Sequence, residues 1–221
     1  MRLLFLNILL FTLVGCKVST SSSANIPEKK IIVEDTIKWN KILKDTTLES
    51  SSSSNFKVSK MVVDDGNTLK SALEMVVLFG DDDKIYYSKL IKSGEFDLDS
   101  LVTVSYDDLN LSERVVFIGT KIENKTVEIW LDKNLITPFG EYIDDINLNN
   151  QLYSIYKSGD LIVLDKDTST KSYSIRWQDL INALVQKEIL TKPKSLNSIF
   201  FGVKMVRGRE LFVINEFNIS K

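Results

Sequence analysis

The residue types that could carry chemistry are few, and first of all they exclude. The 221 residues contain no histidine. That removes Ser-His-Asp and Cys-His nucleophilic catalysis and histidine-ligated zinc together. A single cysteine, Cys16, rules out an intrachain disulfide. What remains is carboxylates, lysines and aromatics set in strand-like segments. In "KTVEIWLDK" the alternation sends Thr126, Glu128, Trp130 and Asp132 one way and Val127, Ile129 and Leu131 the other. In "IFFGVKMVRGRELFVINEF", Gly202, Lys204 and Val206 share a face opposite Phe201, Val203 and Met205, so a lysine stands in the middle of an apolar strand. Asp81-Asp82-Asp83 offers oxygens of the kind calcium takes, but with no glycine-containing ligand loop it reads as a solvated turn. No metal or other cofactor is expected. A net charge of −2 leaves no broad basic footprint, so no nucleic-acid partner is expected.

These side chains must be positioned by a mostly β framework. "ALEMVVLFG", "KIYYSKLI", "SLVTVSY" and "RVVFIGTKI" are strand-length apolar runs. "QLYSIYKSG" and "DLIVLDKD" read as a pair joined near Ser158-Gly159, and the residues around Arg207-Gly208-Arg209 as a turn between two closing strands, with both arginines in solvent. Only "WQDLINALVQKEIL", residues 177–190, has helical spacing, through Leu180, Ile181, Leu184 and Val185, with Pro193 beyond its end. Its Asp179 and Asn182 fall on the wet face. Many strands and one helix predict an antiparallel two-sheet β-sandwich, a jelly roll, over residues 56–221.

The N-terminus reads differently. Arg2 is a minimal positive region, and Leu3 to Leu13 is an apolar stretch too short for a comfortable membrane span. It ends in Leu13-Val14-Gly15-Cys16, which resembles the lipobox of bacterial lipoproteins. The resemblance implies removal of residues 1–15 as a signal peptide and diacylation of Cys16, which makes membrane lipid a partner. Two acyl chains give stable anchoring where one is marginal. Lys17 is not the aspartate that retains many such proteins at the inner membrane, so the outer membrane or cell surface is the expected place. Residues 16–55 read as a serine-rich tether, within which Ile31 to Lys44 is either a strand followed by a loop or a short amphipathic helix. No later run is long and apolar enough for a further span.

Three pieces of the C-terminal half resemble family-12 glycoside hydrolases in order and spacing. They are Ile129-Trp130-Leu131 followed by the turn Pro138-Phe139-Gly140, then "NNQLYSIYKSG", then the closing unit of a helix, a Gly-x-Glu-like strand and a final strand. The resemblance implies a concanavalin-like jelly roll with a glycan cleft on its concave face. It also implies two glutamates working with retention, about 5–5.5 Å apart. Carried over, the nucleophile position is Thr126 and the acid/base position is Lys204, so both glutamates are missing. Glu128 shares the face of Thr126, and we expect it to pair with Lys204 across the cleft floor. Trp130, Tyr153 and Tyr156 are candidates for a stacking platform; Tyr153 reads more simply as core.

Three functions stay open. One is a non-catalytic module binding a glycan or another ligand through Thr126, Glu128, Trp130, Lys204 and Tyr156. Another is an interaction protein whose sandwich is a scaffold for loops meeting an envelope or host partner. The last is a glycoside hydrolase with relocated carboxylates drawn from Glu128, Asp132 and Glu210.

Overall fold

Leu196–Ser220 forms a single strand of 25 residues that belongs to both layers of the fold. The computed structural model describes residues 30–33, 36–78, 84–108 and 111–221. Among them the order is β1 (Lys30–Val33), α1 (Thr36–Ile42), β2 (Thr47–Ser50), β3 (Phe56–Asp64), β4 (Leu69–Val77) and β5 (Tyr86–Phe96). It continues with β6 (Leu101–Asp108), β7 (Leu111–Ile122), β8 (Lys125–Asn134), β9 (Glu141–Leu148), β10 (Gln151–Ser158) and β11 (Leu161–Asp165). β12 (Ser172–Arg176), α2 (Trp177–Gln186) and β13 (Leu196–Ser220) close the chain.

The first half of β13 pairs β5 on one edge and β7 on the other, and its second half pairs β4 and β6. One layer therefore runs β2-β5-β13-β7-β8-β11-β10-β9, and the other runs β1-β3-β4-β13-β6-β12. All pairings are antiparallel except β8 with β11. This is the expected β-sandwich. The turn at Arg207-Gly208-Arg209 is not formed. Gly208 takes φ 103° and the β13–β7 register slips between Met205 and Arg207. A glycine at positive φ suits a bulge as well as a turn, and here it bends the strand from one layer to the other without reversing it. Arg207 and Arg209 do reach solvent, where they pair with Glu113 and Glu74.

The core lies between the layers. Phe201, Val203 and Met205 face inward, and the Phe201 ring sits 5.2 Å from Phe212 and 5.7 Å from Tyr106. α2 lays Trp177, Leu180, Ile181 and Leu184 into it, with Asp179 exposed and Asn182 half-buried. The helix stops at Gln186, short of the expected 190, because Glu188 turns to φ 60° and the Ile189 and Leu190 amides return to the Leu184 carbonyl. Ile189 and Leu190 stay buried, so the apolar spacing outlasts the helix.

Both readings of residues 31–44 are realised in turn, as β1 and then α1. Trp39 of α1 is core, and β2 pairs β5, so the folded unit begins ahead of residue 56. The serines at 50–54 within the expected tether are tied in at Ser51, whose Oγ accepts the Tyr87 amide at 3.0 Å. β9 and β12, too polar or too short to stand out, are additional strands. Cys16, the segment before it and Asp81-Asp82-Asp83 lie outside the described residues. Among the described residues no helix is long and apolar enough to cross a membrane.

Candidate functional site

The side of the larger sheet that faces away from the core carries its own apolar cluster. Val115 and Phe117 of β7, Trp130 of β8, Val163 of β11 and Phe200 of β13 meet there with Ile136. Two glycines let the strands carry these large groups. A Cβ on Gly119 would lie 2.2 Å from the Phe200 ring, which occupies the space above it. A Cβ on Gly202 would lie 2.3 Å from the Ser88 carbonyl oxygen, so only glycine lets β5 approach. That accounts for the glycine beside Lys204.

Lys204 spans this cluster. Its Nζ lies 2.5 Å from Glu128 Oε2, with Glu128 5% and Lys204 8% exposed. The ammonium also sits 5.0 Å from the centre of the Phe117 ring and 5.6 Å from that of Phe139. The Trp130 indole N–H points at the same Glu128 oxygen, 3.5 Å away. The structure thus brings Glu128, Trp130 and Lys204 together. A charge pair this dry persists because each partner answers the other; removing either leaves a buried charge alone.

Residues 135–140, between β8 and β9, cover the cluster. Ile136 drops into it at 8% exposure, and the Phe139 ring packs 6.4 Å from Trp130. Gly140, at φ 108°, lies where a Cβ would be 2.4 Å from the Lys157 carbonyl oxygen, so the segment presses onto β10. Trp130 is left 1% exposed and cannot offer its face to a sugar in this conformation. Tyr156 remains half-buried at the rim, edge-on to Tyr142 at 5.8 Å. Tyr153 points into the core, where its hydroxyl meets that of Tyr173 at 2.9 Å.

Thr126 shares this face but not this neighbourhood. It is level with Lys121 of β7, which is level with Ser198, six residues before Lys204 on β13. At about 3.3 Å per residue that offset far exceeds the separation of a working carboxylate pair. Thr126 and Lys204 therefore do not stand as a couple, and the carry-over from the short motif holds for the face only. A further carboxylate on the same face, Asp165, is level with Trp130 and is bound by Lys133. Each of these two acids has its own lysine.

Asp132 and Glu210 are elsewhere. The β7–β8 register slips so that Val116 faces Asp132 while Phe117 faces Trp130. This bulge turns Asp132 off the Glu128 side and between the layers. There Arg114, fully buried, holds Asp132 at 2.9 Å, Glu210 at 3.2 Å, and Asp108. Ser112 Oγ donates to Glu210 at 2.7 Å, and Lys171 reaches Asp132 at 2.9 Å. Burial tends to raise the Asp132 carboxyl, but hydrogen bonds from Ser169, Lys171 and Arg114 outweigh it and hold it at about 2. Asp132, Asp108 and Glu210 raise Arg114 against its own burial. These acids close on a guanidinium, and among the described residues no acidic group is arranged to hold a metal. Arg114 was readable in advance: in "RVVFIGTKI" it shares the parity of Val116 and Ile118, which face the core.

No protein-family profile and no curated protein matches the sequence. Solved structures do match the fold. A family 12 xyloglucanase from Bacillus licheniformis superposes with TM-score 0.63 at 13% identity, over 79% of this chain and 99% of that one. Endoglucanase 3 of Trichoderma harzianum, from the same family, gives 0.61 at 13% identity, over 88% and 98%. The xyloglucanase domain of a type three effector from Sinorhizobium fredii, solved with cellobiose, gives 0.61 at 11%, over 80% and 98%. At such identities the likeness is one of fold: this chain is built on the jelly roll of family 12 glycoside hydrolases.

Proposed function

We propose that this chain is a lipid-anchored bacterial envelope protein that keeps a glycoside-hydrolase-like sandwich as a non-hydrolytic binding module. The observation that carries the reading is the Glu128–Lys204 pair, a carboxylate bound to a lysine and buried beneath Phe139, whereas a retaining hydrolase needs two carboxylates open to substrate. An ammonium paired to Glu128 cannot alternate between a neutral acid and a carboxylate as the acid/base group of a retaining hydrolase does. Relocated acids do not rescue the chemistry, since Asp132 and Glu210 belong to the Arg114 network.

The cellobiose complex of a structural neighbour makes a β-glucan chain the first ligand to try. With Trp130 covered, Phe139, Tyr142 and Tyr156 are rings in this region with surface to offer it. The Leu13-Val14-Gly15-Cys16 sequence supports anchoring through an acylated Cys16, at the outer membrane or cell surface. Expression in a bacterium fed an alkyne-tagged palmitate tests the anchor: label on the wild type and none on Cys16→Ser is expected, and equal labelling refutes it. Calorimetric titration of the full chain in detergent with cellotetraose and xyloglucan oligosaccharides tests the module. Saturable binding without cleavage supports it. Absence of binding leaves the interaction-scaffold reading in its place.

A further inference from the structure

Away from the covered groove, at one end of the sandwich, the loop after β11 folds back toward the β9–β10 turn and β12. The two sides leave a cavity of about 340 Å³, bounded by Gln151 and Tyr153 of β10, Lys166 and Thr168 of the loop, and Tyr173 of β12. That volume falls in the range of small-molecule sites. Hydroxyl and amide groups line it: the Tyr153 and Tyr173 hydroxyls touch at 2.9 Å, and Thr168 Oγ1 donates to Gln151 Oε1 at 3.0 Å.

Lys166 is the unusual wall. It follows Asp165, and by strand parity it turns inward, leaving it 6% exposed. Its ammonium lies 5.4 Å from the centre of the Tyr173 ring. Among the described residues no carboxylate lies within ion-pairing range of it, whereas Lys133, Lys171 and Lys204 all have one. A buried cation lacking a counter-ion is costly, and an anion entering the cavity would relieve that cost. Burial pulls the Lys166 amine down to about 8, with Asp132 acting in the opposite sense. Asp165 and Asp167 flank it in the chain, Asp132 acts on it from β8, and Tyr153 and Tyr173 share its cavity; burial raises both tyrosines, which keeps them neutral donors.

We propose that this cavity is a binding site for a small polyhydroxylated carboxylate, a sugar acid in size and chemistry, with Lys166 meeting the carboxylate and the tyrosine, threonine and glutamine groups meeting the hydroxyls. The site is independent of the groove and of whether the groove binds anything.

The test is calorimetric titration of the full chain in detergent with D-glucuronate, D-gluconate and acetate, with D-glucose as the neutral control. Saturable binding of glucuronate or gluconate, at least tenfold tighter than that of glucose and tighter than that of acetate, is expected. Lys166→Met should weaken it at least tenfold, Lys166→Arg should retain part of it, and affinity should fall as the pH passes about 8. If neither sugar acid binds, if acetate binds as tightly as they do, or if Lys166→Met binds as the wild type does, the proposal is wrong. Should Lys166→Met fail to fold, reductive methylation of the wild type followed by mass spectrometry decides. Glucuronate must slow modification of Lys166, and unchanged labelling refutes the site.

Discussion

Lys204 and Glu128 belong to strands separated by β7, yet their charged atoms meet 2.5 Å apart above Phe117 and below Phe139. The long lysine stem lies along the apolar face and brings its head to the Glu128 carboxylate. The pair ties β13 to β8 beneath the 135–140 segment, and it behaves as a unit.

Breaking that unit should be worse than removing it. Lys204→Met alone leaves Glu128 buried and unanswered, at a cost of about 3–5 kcal/mol, whereas Glu128→Leu with Lys204→Met should recover most of the loss. Urea denaturation of the two single variants and the double variant reads the coupling. Additive effects would mean that the pair is solvated.

Phe139 is the lid of Trp130. Phe139→Ala should cost about 1–2 kcal/mol, since the ring is already partly exposed. It should also open an indole that is closed in the wild type. Iodide quenching of tryptophan fluorescence checks this: little quenching of the wild type, and one newly quenchable tryptophan in the variant.

Gly202→Ala should destabilise by about 1–3 kcal/mol although its neighbours stay apolar, because the new methyl meets the Ser88 carbonyl and the Lys89 backbone rather than a yielding side chain. Thermal melts measure it, and a variant as stable as wild type would show that β5 can move away.

Acid should weaken the fold through Asp132. Its folded carboxyl titrates at about 2 against an ordinary 3.8, so its stabilising effect is complete above the ordinary value and is lost as pH falls toward 2. Asp132→Asn should cost about 1–2 kcal/mol at pH 7 and flatten the stability profile between roughly pH 4 and 2. Chemical denaturation across that range reads both effects.

How much was legible follows from what each signal encodes. Alternation in "KTVEIWLDK" placed Thr126, Glu128 and Trp130 together because parity survives folding. It failed at Asp132 because a single bulge after Trp130 reverses parity, and no residue type there announces it. Gly208 marked a change of direction but not its kind. Helical spacing ran past Gln186 because Ile189 and Leu190 are buried by a turn, not by a helix. The Glu128–Lys204 contact was foreseeable from shared faces. The cover was not, because nothing in "LITPFG" says which surface a connecting segment lies on. The Lys166 cavity needs three separate segments to meet, which no local pattern records.

The most direct test is release of reducing ends from xyloglucan and β-glucan by the full chain, beside Glu128→Gln, over prolonged incubation. No release above buffer by either protein is expected. Steady turnover by the wild type that disappears in Glu128→Gln would contradict the account, because it would make Glu128 a working acid and the closed groove a gate.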